Sequence, residues 1–363
     1  MKVMTILGTR PEIIRLSLII RKLDCLSSRH ILVHTGQNYD RYLNDVFFEQ
    51  MDVRKPDYSI QNVGHTLGQQ IGQMFVEVEK LLVKEKPERI LVLGDTNSAL
   101  CAVLGERMGI PVYHMEAGNR CYDSSVPEEI NRKMIDSISS FNLPYTPGSK
   151  ENLLREGIPP YRIWVSGNPI YEVLQHYQSP MDQSDILQKM KLERGKYILV
   201  TAHRAENVDN ESRLRTIVDG LHAIAAEQQM PLICSVHPRT QARLEQYGIT
   251  IRNPLIILSK PFGFFDFIHL QKYARCVVTD SGTVQEESCL LGIPAVTIRK
   301  STERPETVIC GSNIVSGLDA RRMAECVKLM IHAGHSWTCP DGYRDPNVST
   351  KVVNMILGGV SHV

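Results

Sequence analysis

Short apolar runs rich in β-forming residues recur along this chain, each followed by a helical pattern. That alternation leaves few folds other than a parallel sheet with crossover helices. In the first half the predicted strands are residues 2–7, 30–34, 89–93, 111–115 and 162–165. In the second half they are 197–201, 231–236, 255–258, 276–279 and 294–298. Each half holds enough strands for its own doubly wound sheet, so an α/β chain with two Rossmann-like domains is expected. A length of 363 residues fits that division.

The helices between the strands carry the expected punctuation. Leu214, Ile217, Val218, Leu221 and Ile224 form one apolar stripe at helical spacing. Ser149 is expected to cap a helix that ends at Gly157, and Ser281 to cap another that stops at Gly292. Ser166-Gly167-Asn168-Pro169 marks the predicted boundary, since Pro169 disfavours helix at Asn168 and the small residues permit a hinge. The domains are therefore read as residues 1–167 and 168–342, with a terminal segment 343–363. Val348, Val352, Val353 and Ile356 make that segment an amphipathic helix able to pack on either domain.

Composition narrows the function classes. A formal net charge of +1 gives no global field to recruit nucleic acid or an anionic membrane, so any cation chemistry is local. No apolar run approaches the roughly 20 residues needed to span a bilayer. Met1 to Leu7 reads as a first strand rather than a signal peptide, because it turns at once into Gly8-Thr9-Arg10. Nine cysteines, an odd number with no C-x-x-C pair, argue against a disulfide framework and a zinc site and for a reducing cytoplasm. Cys101, Cys276 and Cys289 read as core residues. Cys121 lies beside an acidic loop, but no histidine is paired with it in sequence. No metal or cofactor is expected.

The chemistry-bearing residues follow the strands. Asp95 stands in Gly94-Asp95-Thr96 after one apolar run, and Glu116-Ala117-Gly118-Asn119-Arg120 follows the next. Pro127-Glu128-Glu129-Ile130-Asn131-Arg132 then opens a helix. Several acids in one place suggest proton transfer, with cations to hold an anionic substrate. Gly8-Thr9-Arg10-Pro11-Glu12 enters a helix whose free N–H groups suit an anion, and Arg10 and Arg15 could add charge to a phosphate. It is not G-x-G-x-x-G, so a nicotinamide fingerprint is missing. Thr279-Asp280-Ser281-Gly282-Thr283 repeats that logic in the second half, and Glu287 could accept bonds from ribose hydroxyls. His203-Arg204 and His237-Pro238-Arg239 each follow a strand. Arg304 could reach a phosphate or pair with Glu303 or Glu306. Phe262, Phe264, Phe265 and Phe267 could stack a base or fill a core.

In order and spacing these motifs closely resemble the non-hydrolysing UDP-N-acetylglucosamine 2-epimerase family over nearly the whole chain. The resemblance rests on Gly8-Thr9-Arg10-Pro11-Glu12, Gly94-Asp95-Thr96, Glu116-Ala117-Gly118, Pro127-Glu128-Glu129, His203-Arg204, Asp280-Ser281-Gly282 and Thr302-Glu303-Arg304-Pro305-Glu306. It implies the glycosyltransferase-B architecture, two Rossmann-like domains facing across a cleft, with the terminal helix packing back on the first domain. It implies inversion at C2 of a UDP-linked 2-acetamido sugar, through elimination of UDP to a 2-acetamidoglucal and re-addition. Asp95, Glu116 and Glu128 resemble the catalytic carboxylates and His203 the residue that stabilises leaving UDP. Arg10, Ser281, Gly282 and Arg304 would hold the diphosphate or neighbouring groups, Glu287 the ribose, and Phe267 with the backbone near Phe262 the uracil. Arg15 and Thr283 fall at further substrate-binding positions, and Arg132 resembles a family arginine near the carboxylates, with either a substrate or an orienting role. A homodimer is implied as well.

The chain departs from the commonest bacterial pattern in four places. Arg15 replaces a usual lysine and Thr283 a usual glycine, and the stretch from Glu116 to Glu128 is shorter than usual. Gly36-Gln37-Asn38-Tyr39 stands where a Gln-His-Arg sequence is associated with allosteric substrate binding. Glu116-Ala117-Gly118-Asn119-Arg120-Cys121 also resembles relatives acting on UDP-2,3-diacetamido uronates or 2-acetamido-2,6-dideoxy-L-hexoses. Against a hydrolysing epimerase stands Thr96, since hydrolysing relatives usually carry arginine after that aspartate.

Overall fold

Two parallel six-stranded sheets form the frame, one in each of two compact units. The computed structural model describes residues 1–36, 41–61, 64, 66–334 and 336–358. Gln37, Asn38 and Tyr39, where the allosteric sequence is replaced, lie outside the described residues. Unit 1 comprises Met1–His176 and Asp341–Val363, and unit 2 comprises Tyr177–Pro340.

In unit 1 the strands are β1 (Lys2–Leu7), β2 (Arg29–His34), β3 (Tyr58–Ser59), β4 (Arg89–Leu93), β5 (Val112–Met115) and β6 (Phe141–Leu143), in the order β3-β2-β1-β4-β5-β6. In unit 2 they are β7 (Ile198–Thr201), β8 (Leu232–Ser235), β9 (Ile256–Ser259), β10 (Cys276–Thr279), β11 (Ala295–Thr297) and β12 (Asn313–Val315), in the order β12-β11-β10-β7-β8-β9. Read from its first strand, unit 2 repeats the order of unit 1. Both are therefore doubly wound, and the expected α/β class with two Rossmann-like sheets is what the chain adopts. Helices cover both faces, so the central strands are mostly apolar: Val3, Met4, Ile6 and Leu7 of β1 are all fully buried. The buried polar residue between them, Thr5, bonds His30 Nε2 at 2.8 Å.

In a doubly wound sheet, the strand order reverses at one point, and the loops leaving the strands there diverge to make room for a ligand. In unit 1 that point lies between β1 and β4, and in unit 2 between β7 and β10. Gly8-Thr9-Arg10 and Gly94-Asp95-Thr96 leave the first pair. Ala202-His203-Arg204 and Asp280-Ser281-Gly282 leave the second.

Several sequence expectations need correction. Residues 162–165 are not a strand. Pro159 and Pro160 lead into a short turn, and Ile163 makes only an isolated bridge to Asn142 of β6, the true edge strand. The helix Pro147–Arg155 is capped by Thr146, whose hydroxyl accepts from Ser149 N at 3.1 Å, so Ser149 lies inside the first turn. Ser281 occupies the N-cap position of the helix Gly282–Leu291 but makes no side-chain cap bond. Gly292 ends that helix in the left-handed region, at φ 75°.

The helix Pro169–His176 packs on the helix Arg10–Leu26, which carries the division between units past Gly167 to His176. The helix Val348–Gly358 packs on both. Its Val348, Val352, Val353 and Ile356 are buried, Ser349 N donates to Glu172 at 2.7 Å, and Lys22 donates to Thr350 at 2.5 Å. Among the described residues no helix is long and apolar enough to cross a membrane.

Candidate active site

In unit 1 the carboxylates are held by arginines. Arg132 lies 2.5 Å from Asp95 and 2.8 Å from Glu129, and is itself buried. Arg15 pairs with Glu116, and its guanidinium lies 5.8 Å from the Tyr145 ring centroid. Glu128 sits partly buried in the first turn of the helix Pro127–Ile138, where the positive end of the helix dipole favours an anion. Arg10, at the start of its helix, lies over the Phe47 ring.

The turn that carries Glu116 is under local backbone constraint. Glu116 itself has φ 65°, a conformation that costs a side-chain-bearing residue about 1–2 kcal/mol. Gly118 follows at φ 77°, and a Cβ there would lie 2.2 Å from the Ser149 carbonyl oxygen. Side chains fasten this turn from beneath. Asp136 accepts from Gly118 N at 3.1 Å and pairs with Arg120 at 2.7 Å. Asn152 donates to Gly118 O, and Ser149 to Asn119. Burial by itself raises the Asp136 carboxyl, but His114 and Arg120 hold it below its usual value. Glu129 is likewise held low despite burial, by Cys121 N and Arg132. Burial, reinforced by the Glu129 carboxylate, pushes the Cys121 thiol up, which does not suit a nucleophile.

Glu12 ties two turns together. It accepts from Gly8 N at 3.1 Å, Thr9 at 2.7 Å and Thr96 at 3.1 Å. Burial pushes its carboxyl up to about 7 against the pull of those donors.

In unit 2 the organising group is Asp280, fully buried at the end of β10. It accepts from His203 N at 3.1 Å, Arg204 N at 3.0 Å and Asn207 Nδ2 at 3.0 Å. The backbone of the His203 turn is thereby fixed while the imidazole stays exposed. Arg304 is buried and pairs with Glu286. Glu303 takes Arg204 at 2.7 Å and Arg299 at 2.6 Å. A Cβ on Gly282 would lie 2.6 Å from Glu303 Oε1, so this helix start needs glycine for close approach. Thr283 is partly buried and Glu287 buried in the following turn. Phe262 and Phe267 are half-buried against the core under β7 and β8, whereas Phe264 is in the interior and Phe265 tilts against Tyr177. Among the described residues no group of His, Cys, Asp and Glu could hold a metal ion.

A UDP-N-acetylglucosamine 2-epimerase family model matches residues 23–357. The chain belongs to that family. A UDP-N-acetylglucosamine 2-epimerase of Methanocaldococcus jannaschii is 41% identical, with 94% of this chain and 95% of the relative covered. One of Methanococcus maripaludis is 38% identical, with 98% of each covered. The crystal structure of the M. jannaschii UDP-GlcNAc 2-epimerase in complex with UDP-GlcNAc and UDP superposes with a TM-score of 0.94 at 38% identity, covering 99% of this chain and 100% of that one.

The groups to which sequence reasoning gave no supporting role in this epimerase-family chain are Glu12, His114, Glu129, Asp136, Asp280 and Glu286, some of them quoted only as members of motifs. One signal was available. In Pro127–Ile138 the charged Glu129, Arg132 and Asp136 recur at helical spacing, as an inward face would. They are buried while Ile130 and Met134 are 51% and 47% exposed, the reverse of an ordinary amphipathic helix. Buried charge on that scale is tolerable only when paired, which points to a polar site under the helix.

Proposed function

We propose that this epimerase-family chain interconverts UDP-N-acetylglucosamine and UDP-N-acetylmannosamine by eliminating and re-adding UDP, in the supply of precursors for surface polysaccharides. The observation that carries this reading is the set of carboxylates that follow the unit 1 strands, Asp95 after β4 on Arg132, Glu116 after β5 on Arg15, and Glu128 at a helix start.

The C2 hydrogen of such a sugar is not next to a carbonyl, so its direct removal is very unfavourable. Breaking the C1–O bond makes loss of that proton an elimination and leaves 2-acetamidoglucal with UDP. Returning a proton to the other face of C2, and UDP to C1, inverts the centre. Proton-handling groups on two sides of the ring are needed, and the carboxylates supply them. The arginine partners fix where each carboxylate sits. The diphosphate that departs and returns is assigned to the Ser281-Gly282-Thr283 helix start, with exposed His203 stabilising its charge. Glu287 is assigned to the ribose, and Phe262 and Phe267 to the uracil. Buried Arg304 is assigned to shaping the turn through Glu286. The family resemblance further supports a homodimer working in the cytoplasm, which sedimentation and cell fractionation check.

The test is NMR of the purified protein with UDP-N-acetylglucosamine in deuterated water. Inversion at C2 with deuterium incorporated there is expected. Inversion without the label excludes elimination, and inversion only of a diacetamido uronate or a 2,6-dideoxy-L-hexose from a substrate panel moves the assignment to those sugars.

A further inference from the structure

Three of the cysteines converge in unit 2. Cys289 is buried near the end of the helix Gly282–Leu291, and Cys310 follows the helix Pro305–Ile309 and is partly exposed. Their sulfurs are 3.9 Å apart. The Cys339 thiol lies 3.6 Å from the Cys289 carbonyl oxygen, which also accepts from Trp337 Nε1 at 3.0 Å. Cys101 and Cys276 are enclosed in apolar cores and pack as small hydrophobes. The Cys289–Cys310 pair differs, because its sulfurs lie beside one another and Cys310 is a partly exposed residue. Cys310 also contacts the Ser312 hydroxyl at 3.3 Å. The Cys289 thiol, and then the Ser312 hydroxyl, draw Cys310 below the usual thiol range against its partial burial, while Cys289 is pushed up.

We propose that Cys289 and Cys310 form a peroxide-oxidisable dithiol, with Cys310 the attacking sulfur and Cys289 the resolving one. The Cys310 thiolate attacks one peroxide oxygen and displaces hydroxide, leaving a sulfenic acid. The Cys289 sulfur attacks the sulfenic sulfur, its proton leaves with the hydroxyl as water, and the disulfide closes. Two thiols and one hydrogen peroxide become one disulfide and two waters. The sulfur pair is oxidised by two electrons and the peroxide reduced by two. The sulfurs must approach to a bond of about 2 Å, a movement that side-chain rotation at the end of the short Pro305–Ile309 helix can supply.

The cross-link joins the C-terminal ends of two helices that already meet through Arg304, just before the second, and Glu286, midway along the first. Only this link to the nucleotide turn rests on the function proposed above. The test reads the cross-link itself and so stands apart from catalysis.

Native protein is treated with hydrogen peroxide, quenched, alkylated under denaturing conditions and mapped by peptide mass spectrometry. A Cys289–Cys310 disulfide that dithiothreitol reverses is expected, with Cys310 the first of the pair to oxidise because Cys289 is buried. Partly exposed Cys310→Ser should abolish the cross-link, and Cys289→Ser should leave Cys310 as a sulfenic acid that dimedone traps. No Cys289–Cys310 disulfide in the unmutated protein, or a dominant disulfide through Cys339, overturns the proposal.

Discussion

His114 Nδ1 lies 2.9 Å from Asp136 Oδ1, both side chains fully buried, and the other ring nitrogen of His114 lies 2.8 Å from the Gly94 carbonyl oxygen. Through this pair the residue before Asp95 is joined to the carboxylate that holds Gly118 N, two residues after Glu116. One imidazole and one carboxylate thus set the spacing of two candidate catalytic acids. Asp136→Asn removes the negative charge between His114 and Arg120. A loss of about 1.5–3 kcal/mol from unit 1 is expected, because a buried charged acceptor is lost while Glu156 still pairs with Arg120. Urea denaturation monitors the loss, and turnover at saturating substrate should fall more than KM changes.

Glu12 gives a pH dependence of unusual sign for a carboxylate. Its folded value of about 7 lies above the ordinary 4.5, so the folded chain keeps the proton that the unfolded chain releases. Stability from this group is therefore fullest below about 4.5 and declines as pH rises to about 7, by about 3 kcal/mol in all. Glu12→Gln should flatten that window. Thermal unfolding of both proteins from pH 5 to about 8 checks it, and identical pH slopes count against the assignment.

Gly118→Ala should be severe. Its left-handed backbone disfavours a side chain, and the Ser149 carbonyl occupies the place a methyl would take. We expect a loss of about 3 kcal/mol or more. Gly157→Ala, also at positive φ but with open space around it, should cost about 1 kcal/mol. Melting temperatures of the two variants, compared with the parent, separate clash from backbone strain.

Asp280→Asn replaces an acceptor of three N–H groups with a side chain that also donates. The His203 turn should loosen, and UDP affinity should fall about tenfold, near 1.4 kcal/mol. Isothermal calorimetry with UDP reads this directly. Unchanged affinity removes Asp280 from the support of the nucleotide turn.

The central strands were legible because a parallel sheet covered on both faces must be apolar along its length, and runs such as Ile90-Leu91-Val92-Leu93 say so. Tyr58–Ser59, Phe141–Leu143 and Asn313–Val315 were not, since two or three residues show no period and owe their conformation to a neighbouring strand. The candidate acids were legible as charges just beyond strands. Arg132 was legible beside them, but the pairing of Arg15 with Glu116 was not, because the two are separated by 101 positions and only the folded sheet brings them together.

By itself, then, the sequence determined the α/β class, the family, and which turns carry the charged groups, all properties of local pattern and motif order. Tertiary structure decided the strand order that places Gly8-Thr9-Arg10 beside Gly94-Asp95-Thr96, the pairing of each carboxylate, and the buried His114–Asp136 and Asp280 supports. Those depend on long-range pairing in a low-dielectric interior, where a charge persists only if its partner arrives with it.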